Sequence, residues 1–457
     1  MNTFKIIAVI IIILFLKTVI SCEKLVESET PNNQITTDQI FEDVQTANAA
    51  LAGLYAGLRD GSPITGDQAG QLFGSYADDL DCFATTSVNG VFDLYRNQQT
   101  ATNPTIYSYW SSAYQNIYTA NAILEGVDHS ASLPVAEKNK IKGETLIIRA
   151  ILYFYLQQIF GDIPYPVTTN YQVNQSLPKT TASEVLTKLE SDLGLSVDLL
   201  KDEYRNAERI YPNKKVAQLM LAKIYMLQNR WNDAELLLKS IVQNPLYQFE
   251  NNITKVFQKS GTHILWQLKP KNSGDPTKEA MTYYFINAAP TNYALSQNMV
   301  ASFSNGDLRK QNWMAVVTFN GNSWYRADKY KNRTNNTTEY SIVFRLEEVY
   351  LLLAEAMIRQ NKLAEALPYI NATRQRAALS ALSGNITQAA LLDEILLENR
   401  KEFFTETGHR FLDLKRTNRL NTLISVKPNW KPYHNVWPLP QQELLLNPNL
   451  NPQNNGY

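Results

Sequence analysis

An apolar residue at every third or fourth position, sustained over long stretches, is the feature that most constrains the fold of this chain. The first such stripe consists of Ile40, Val44, Ala47, Leu51, Leu54 and Leu58. Two longer stripes predict helices at about 107–124 and 136–160. The second of these helices should end at Gly161, because a glycine followed closely by Pro164 is a typical stop signal. A chain patterned in this way predicts a mostly α-helical protein.

Two later stretches share one spacing of residues, which indicates a repeated pair of helices. In each stretch, the second residue comes three positions after the first, and the third comes twelve positions after the first. The first set is Ala222, Tyr225 and Ala234, and the second is Ala354, Met357 and Ala366. Small residues at these positions let two antiparallel helices approach closely, and they match positions of the tetratricopeptide repeat. We therefore predict tetratricopeptide-like helical hairpins, and the alternative is a pair of unrelated hairpins.

The segment at about 244–340 breaks the helical period. It is rich in proline and asparagine, and its run at 263–268 is typical of a short strand. We interpret it as an irregular, loop-rich insertion between helical hairpins, where binding residues often concentrate. The predicted division of the chain is a leader at 1–21, a flexible tether at 22–37 and a single domain at 38–457, with a helical scaffold at about 38–243 and 341–419 and C-terminal loops at 420–457.

The first residues have the pattern of a secretory leader. Lys5 precedes eleven apolar residues at 6–16, a length typical of a signal peptide and too short to span a membrane. The sequence Val-Ile-Ser-Cys that ends at Cys22 resembles a bacterial lipobox, in which the chain is cut before the cysteine and the thiol is lipidated. We predict lipidation of Cys22, which would attach the protein to a membrane through lipid alone. The alternative is cleavage elsewhere, which leaves Cys22 an ordinary residue.

Composition and motifs exclude several classes of protein. The 43 basic and 43 acidic residues give no basic excess for nucleic-acid binding. With Cys22 acylated, Cys82 has no partner for a disulfide or a zinc cluster. The sequence lacks a glycine-rich phosphate loop, a nucleophile elbow and a histidine pair at metal-ligand spacing. It therefore predicts no cofactor, no metal and no enzyme activity, whereas 25 Tyr and 7 Trp suit a binding surface.

Two charged segments stand out. Asp78, Asp79 and Asp81 form the densest acidic cluster, with three interpretations: carboxylates that cap backbone amides, ligand hydrogen bonding, and catalysis or metal binding. The segment 398–416 predicts a structural network of charges along a helix. Its spacings favour ion pairs between Glu406 and Arg410 and between Asp413 and Arg416.

Several segments together resemble the SusD/RagB family of nutrient-binding outer-membrane lipoproteins. The segment 398–416 resembles the signature helix of the family, with Thr407 where tryptophan often precedes Gly-His-Arg. Further matches are Trp110, Tyr114, Ile117 and Asn121, Gly143-Glu144, Arg149-Ala150, 160–164, 346–356 with Asn371 and Arg374, and Trp437-Pro438-Leu439-Pro440. The resemblance covers about 38–457.

The resemblance implies a scaffold of tetratricopeptide-like hairpins that carries an irregular ligand-binding half. It implies a lipoprotein on the extracellular side of an outer membrane. It also implies a partner, a SusC-like TonB-dependent barrel over which the lipoprotein sits as a hinged lid. The usual ligands of the family are oligosaccharides, with peptides in some branches. Two alternatives are a cell-surface glycosidase and a repeat scaffold that binds only protein.

The ligand-binding residues are predicted from chemistry, because the shared motifs belong mainly to the scaffold. Sugar rings stack on exposed aromatic side chains, and neighbouring polar groups bond the hydroxyls. The candidates in irregular segments are Asp78, Asp79, Phe92, Tyr95, Tyr283, Tyr284, Trp324 and Tyr325. Trp110 and Trp231 lie in predicted hairpins and are expected to be core residues.

Overall fold

A computed structural model describes residues 37–85, 90–384 and 386–457 of the protein. The predicted lipidation site Cys22, the leader and nearly all of the tether lie outside these residues. Within the described ranges, none of the helices combines the length and the apolar character that a membrane span requires.

Helices dominate the first half of the described chain. They are α1 (Thr37–Ile40), α2 (Val44–Gly61), α3 (Ala69–Tyr76), α4 (Val91–Tyr95), α5 (Pro104–His129), α6 (Val135–Phe160), α7 (Tyr171–Asn174), α8 (Ala182–Leu199), α9 (Lys214–Leu227) and α10 (Trp231–Val242). Asp43 accepts two backbone N–H groups at the start of α2, and Thr181 forms a capping box with Glu184 at the start of α8. Gly161 ends α6 with a φ of 76°, as predicted.

The second half alternates short strands with helices. The strands are β1 (Leu80–Cys82), β2 (Ile264–Leu268), β3 (Tyr293–Leu295), β4 (Met314–Phe319), β5 (Asn322–Ala327) and β6 (Ser341–Arg345). The helices are α11 (Lys278–Thr282), α12 (Gln297–Ala301), α13 (Leu308–Asn312), α14 (Leu346–Arg359), α15 (Leu363–Arg376), α16 (Gln388–Phe403), α17 (His409–Arg416) and α18 (Gln441–Leu446). The C-terminal segment also contains 3-10 turns at Leu420–Ser425, Pro432–Asn435 and Pro448–Leu450.

The long helices pack side by side in chain order: α5 on α6, α6 on α8, α8 on α9, α9 on α10, α10 on α14 and α14 on α15. The predicted mostly α-helical architecture is thus confirmed. The core lies between these helices and includes Trp110, which is 2% exposed, as predicted. Trp231 is half-buried and packs against the same core.

The two predicted hairpins are α9–α10 and α14–α15. Their four alanines at the repeat positions are fully buried, which allows the close helix contact that the spacing indicated. Both hairpins turn through an asparagine with positive φ, 59° at Asn229 and 62° at Asn361. Glu235 of the first hairpin lies 2.7 Å from the ammonium group of Lys362 of the second, so the hairpins also join through charge.

The insertion between α10 and α14 forms two small antiparallel sheets with other parts of the chain. One has the strand order β1-β3-β5-β4, and the other pairs β2 with β6. Because β1 precedes α5 in the chain, the first sheet ties the insertion to the N-terminal part of the scaffold. The strand predicted at 263–268 is β2.

A buried network of charges joins the insertion to the end of α16. Arg309 binds Glu398 with Nη1 and Oε1 2.6 Å apart, and Lys329 binds Glu406 at 2.5 Å. Arg376 contacts the carboxylate of Glu402. The predicted charge network in this segment is therefore present, but most of its partners come from distant positions in the chain.

One predicted ion pair within that segment is wrong. Glu406 binds Lys329 and Arg345 rather than Arg410, and Arg410 binds Asp78. The reason is local: α16 ends at Phe403 and the chain leaves the helix before α17, so the expected i,i+4 geometry does not exist. The second predicted pair, between Asp413 and Arg416, is present at 2.8 Å.

Candidate functional site

The four-stranded sheet brings together three of the segments that contain predicted ligand residues. Helix α4, with Phe92 and Tyr95, packs against β1 at one edge of the sheet. Strand β5 carries Trp324 and Tyr325 and lies two positions away, beyond β3. Two strand spacings amount to about 10 Å. The sheet therefore holds these two aromatic segments at a short, fixed separation.

Asp78 and Asp79 lie just before this sheet, and both are buried in ion pairs. Arg410 donates to Asp78 through Nε at 2.7 Å, and Arg400 donates to Asp79 through Nε at 2.8 Å. The two carboxylates are 6% and 3% exposed. These contacts give both aspartates a structural role, and their direct contact with a ligand stays a prediction.

The pKa values of the two aspartates move in opposite directions. Burial alone would raise the pKa of Asp78, but the hydrogen bond from Arg410 and the charge of Arg400 hold it below its ordinary value. Burial raises the pKa of Asp79 above its ordinary value despite Arg400. Neither carboxylate is placed as the open acid–base pair that a glycosidase needs.

Phe92 and Tyr95 are half-buried and form one side of the candidate site. Their ring centroids are 6.2 Å apart, and the guanidinium of Arg96 lies 5.6 Å from the centroid of Phe92. The Tyr95 hydroxyl donates to Asp81 at 3.1 Å. Burial and the neighbouring Asp81 carboxylate raise the pKa of Tyr95 to about 12, so the phenol stays protonated near neutral pH.

Tyr283 and Tyr284 are adjacent in the chain but differ in environment. Tyr283 is 3% exposed, and its buried hydroxyl has no hydrogen-bond partner within the described ranges. Tyr284 is half-buried, and two guanidinium groups lie near its ring, with Arg333 at 3.8 Å and Arg326 at 4.7 Å from the ring centroid. Of the two tyrosines, only Tyr284 is partly exposed.

Trp324 and Tyr325 are half-buried on opposite faces of β5. Tyr325 pairs with Leu295 of β3 and packs against the insertion core. Trp324 pairs with Val317 and lies on the same face as Arg326, whose guanidinium covers Tyr284. Trp324, Arg326 and Tyr284 therefore form one partly exposed surface.

A cleft of about 260 Å³ opens beside β1 and β3. Sequence reasoning missed its lining, because a side chain that faces a cleft from a helix end or a loop has no periodic signal. The lining residues include Asp67, Gln71, Cys82, Val91, Thr282, Asn292 and Tyr293. Their amides, hydroxyls and apolar surfaces suit recognition of an uncharged polar ligand.

A second cleft of about 380 Å³ continues from the first and shares Asp67 and Thr282 with it. We call the two together the groove. The second cleft is more highly charged; Lys278 there binds Asp67, with Nζ and Oδ1 3.2 Å apart. Asp67, which lines both clefts, is the only Asp, Glu, Lys or Arg along the first, so the groove becomes more highly charged toward the second cleft.

Glu279 lies against Gly66, which belongs to the lining of the groove. A Cβ atom at Gly66 would come within 2.0 Å of the Glu279 carboxyl carbon, so the carboxyl packs directly on the Gly66 backbone. Ser341 donates to Glu279 Oε2 at 2.7 Å. Burial raises the pKa of Glu279 to about 7. The group can therefore act as hydrogen-bond donor and acceptor near neutral pH.

Among the residues that the structure describes, no cluster of three or more His, Cys, Asp or Glu could hold a metal ion. The chemistry that the groove offers is hydrogen bonding and aromatic contact.

Two family models match most of the chain. One, described as "Starch-binding associating with outer membrane", matches residues 26–226. The other, of the SusD family, matches residues 277–457. A SusD-like protein of Formosa agariphila is 25% identical, over 99% of this chain and 100% of its own. The starch-binding protein SusD of Bacteroides thetaiotaomicron is 34% identical over 125 residues, which are 25% of this chain and 21% of that protein.

Solved structures match the fold over nearly the whole described chain. A SusD superfamily protein from Bacteroides vulgatus has a TM-score of 0.80 at 21% identity, covering 91% of this chain and 99% of its own. A surface glycan-binding protein A from Bacteroides thetaiotaomicron, in complex with laminarihexaose, has a TM-score of 0.76 at 18% identity, covering 90% and 99%. The predicted fold, a tetratricopeptide-like scaffold with a loop-rich insertion, is therefore confirmed.

Proposed function

The chain belongs to the SusD/RagB family, and from that premise we propose that it is an outer-membrane lipoprotein that captures an oligosaccharide for a SusC-like TonB-dependent barrel. In this proposal, lipidated Cys22 holds the protein at the extracellular side of the membrane. The tether at 22–37 lets the body move as a lid while keeping it near the barrel at high effective concentration. The protein binds and releases its ligand without changing it.

The observation that carries the proposal is the partly exposed aromatic surface beside a cleft lined mainly by uncharged groups. Phe92, Tyr284 and Trp324 are all half-buried, and the first and last lie on segments that the four-stranded sheet holds together. Gln71 and Asn292 supply amides in the cleft beside β1 and β3. Rings that stack on sugar faces and amides that bond sugar hydroxyls are a combination suited to glycans. An oligosaccharide is therefore favoured over a peptide.

Calorimetric titration of the soluble body with laminarihexaose, maltohexaose and cellohexaose tests ligand capture. We expect at least one of these glycans to bind, and Trp324→Ala to weaken that binding by about tenfold or more, as for other central aromatic contacts. Tyr171→Ala is the matched control, because Tyr171 is 74% exposed and does not line the groove. If the folded protein binds none of them, or if both variants bind like the wild type, the assignment fails.

Turnover is tested in the same samples. Reducing ends should stay constant when the protein is incubated with a glycan that binds. Release of reducing ends that Asp81→Asn abolishes would replace the binding proposal with a glycosidase.

The partner is tested with the full chain in its own outer membrane. Affinity purification through a C-terminal tag should recover a TonB-dependent barrel in about equal amounts, identified by mass spectrometry. Recovery of the lipoprotein alone, from membranes that contain the barrel, would contradict the lid proposal.

A further inference from the structure

A third cleft lies apart from the groove, where the last residues of the chain pack against the segment that precedes α5. Its volume is about 360 Å³. Three segments distant in sequence form its walls: 97–101, 429–434 and 456–457. We call it the C-terminal cleft. None of its lining residues is acidic, and Lys431 is the only lysine or arginine among them.

Hydrogen bonds fix the walls of the C-terminal cleft. Gln99 donates through Nε2 to the hydroxyl of Tyr76 at 2.9 Å and to that of Tyr457 at 2.8 Å. The Tyr457 hydroxyl in turn donates to the carbonyl of Val436 at 2.9 Å. These bonds connect the first wall to the last residue of the chain. The cleft is therefore formed before any ligand arrives, which lowers the entropic cost of binding.

Two buried amide oxygens belong to residues that line this cleft and lack donors. Asn97 is 3% exposed and Gln99 is 4% exposed. Within the described part of the chain, neither Asn97 Oδ1 nor Gln99 Oε1 accepts a hydrogen bond. Buried acceptors are normally paired, so these two oxygens leave the first wall of the cleft short of hydrogen-bond donors.

The cleft also presents donors. Burial and the nearby charge of Lys431 lower the pKa of His434 to about 4, so its ring is neutral at ordinary pH. Its Nδ1 accepts the backbone N–H of Lys431 at 3.0 Å, which leaves Nε2 to hold the proton. Gln98 adds an exposed amide at the rim.

Tyr433 provides an aromatic wall in a fixed orientation. A Cβ atom at Gly456 would lie 2.3 Å from the Tyr433 ring, so this position requires glycine, and its φ of 98° requires it as well. The edge of Tyr457 meets the Tyr433 ring with centroids 5.2 Å apart at an angle of 84°. A half-buried ring held from two sides is a platform for the apolar face of a sugar.

We propose that the C-terminal cleft is a second saccharide-binding site, separate from the groove, that takes an uncharged sugar unit. Tyr433 stacks on the pyranose ring, and the exposed amide of Gln98 together with His434 bonds its hydroxyls. Mixed donors and acceptors match hydroxyl groups, which act as both. The lack of acidic side chains argues against a cation, and a single lysine argues against a polyanion. A second site lets one long glycan be held at two points, which raises its effective affinity.

Two measurements test this proposal with laminarihexaose, maltohexaose and cellohexaose as probes. Calorimetry is done in the Trp324→Ala background, so that binding at the groove is already weakened. We expect residual binding that Tyr433→Ala weakens by about tenfold, equivalent to ~1.4 kcal/mol. Because Tyr433→Ala could loosen the C-terminal packing, Gln98→Ala is the second variant, and it should weaken binding without lowering the melting temperature. Tyr171→Ala is the control and should have no effect.

The second measurement is a crystal structure of the wild-type body soaked with each probe. Density for a sugar against Tyr433 supports the proposal. An empty cleft with all three probes, or residual binding that neither variant changes, overturns it. Displacement of the sugar by an uncharged glycine–serine hexapeptide would assign the cleft to peptides instead and also overturn it. Failure of the groove assignment is recognised separately, because Trp324→Ala would then leave the stronger binding intact.

Discussion

Arg345 and Glu402 form an ion pair with Nη1 and Oε1 2.6 Å apart, and neither side chain is more than 1% exposed. Arg345 ends β6, and Glu402 lies in the last turn of α16, so the pair connects the insertion sheet to the signature helix. Glu402 also contacts Arg376 and lies 3.3 Å from Arg309. The charge of this buried carboxylate is compensated by three arginines, so it depends on the relative positions of the helices and the strand that carry them.

Replacing Glu402 with glutamine should therefore destabilise the protein strongly. The change removes the carboxylate that the three guanidinium groups share and brings an amide N–H donor into a site lined by other donors. Loss of one partner in a buried network costs about 3–5 kcal/mol. Urea unfolding followed by circular dichroism measures the effect. Asp393→Asn is the control, because its pair with Arg419 is 46–59% exposed and should contribute less than about 1 kcal/mol. Equal losses in the two variants would show that the network is not a stability determinant.

Glu279 should make the stability of the protein depend on pH. Its pKa rises from 4.5 in the unfolded chain to about 7 in the folded one, so the folded state binds more protons between these values. The contribution of Glu279 to the free energy of unfolding is therefore greatest below pH 4.5, and it falls as the pH rises through 7. Glu279→Gln should remove that fall and stabilise the protein at pH 8, by on the order of 1–2 kcal/mol after allowance for partial solvation.

The measurement is the difference in unfolding free energy between variant and wild type at pH 5 and pH 8, which cancels the other titrating groups. The exposed Glu365 provides the control variant Glu365→Gln. A difference that is the same at both pH values for Glu279→Gln would contradict the raised pKa.

Substitutions at the two hairpin turns should change the stability of the protein in the same way. Asn229 and Asn361 both have positive φ, a conformation that asparagine tolerates and β-branched residues do not. Asn361→Val should cost about 1–3 kcal/mol, as expected for a non-glycine residue forced into this region. Asn361→Gly should cost nothing or stabilise slightly. Thermal unfolding of these variants and of their Asn229 counterparts should give the same order, and a stable valine variant would contradict the turn geometry.

The helical scaffold could be predicted because its information is local. Apolar periodicity, Gly161 and the repeated alanines depend only on neighbouring positions. The ion-pair partners of Glu402 could not be predicted from the sequence, because Arg345 and Arg376 are 57 and 26 residues away in the chain. For the candidate site, the sequence indicated aromatic residues in irregular segments; Tyr284 and Trp324 are half-buried in the structure, and their contact with a ligand stays a prediction. Gln71 and Asn292 gave no signal, since nothing about a single amide indicates that a cleft will open beside it.

Asp78→Asn separates a structural role from a ligand-binding role. Asp78 is buried against Arg400 and Arg410, so its neutralisation should lower stability by about 3 kcal/mol or more. The fraction that still folds should bind the best of the test glycans with unchanged affinity. Calorimetry below the melting temperature measures this, with the half-buried Asp81 changed to asparagine for comparison. A loss of affinity without a loss of stability would make Asp78 a ligand contact.

Cys22→Ala should separate membrane attachment from everything that the folded body does. Cys22 lies outside the described fold, well before α1 at Thr37, so the variant should keep the melting temperature and the glycan affinity of the wild type. Without acyl chains, which contribute ~0.8 kcal/mol per buried methylene, it should leave the membrane fraction. Cell fractionation measures retention. Under the proposed function, uptake of the bound glycan should also fall, because the protein would no longer be held beside a barrel. A variant that stays fully in the membrane fraction would show that the anchor lies elsewhere and that the lipobox interpretation is wrong.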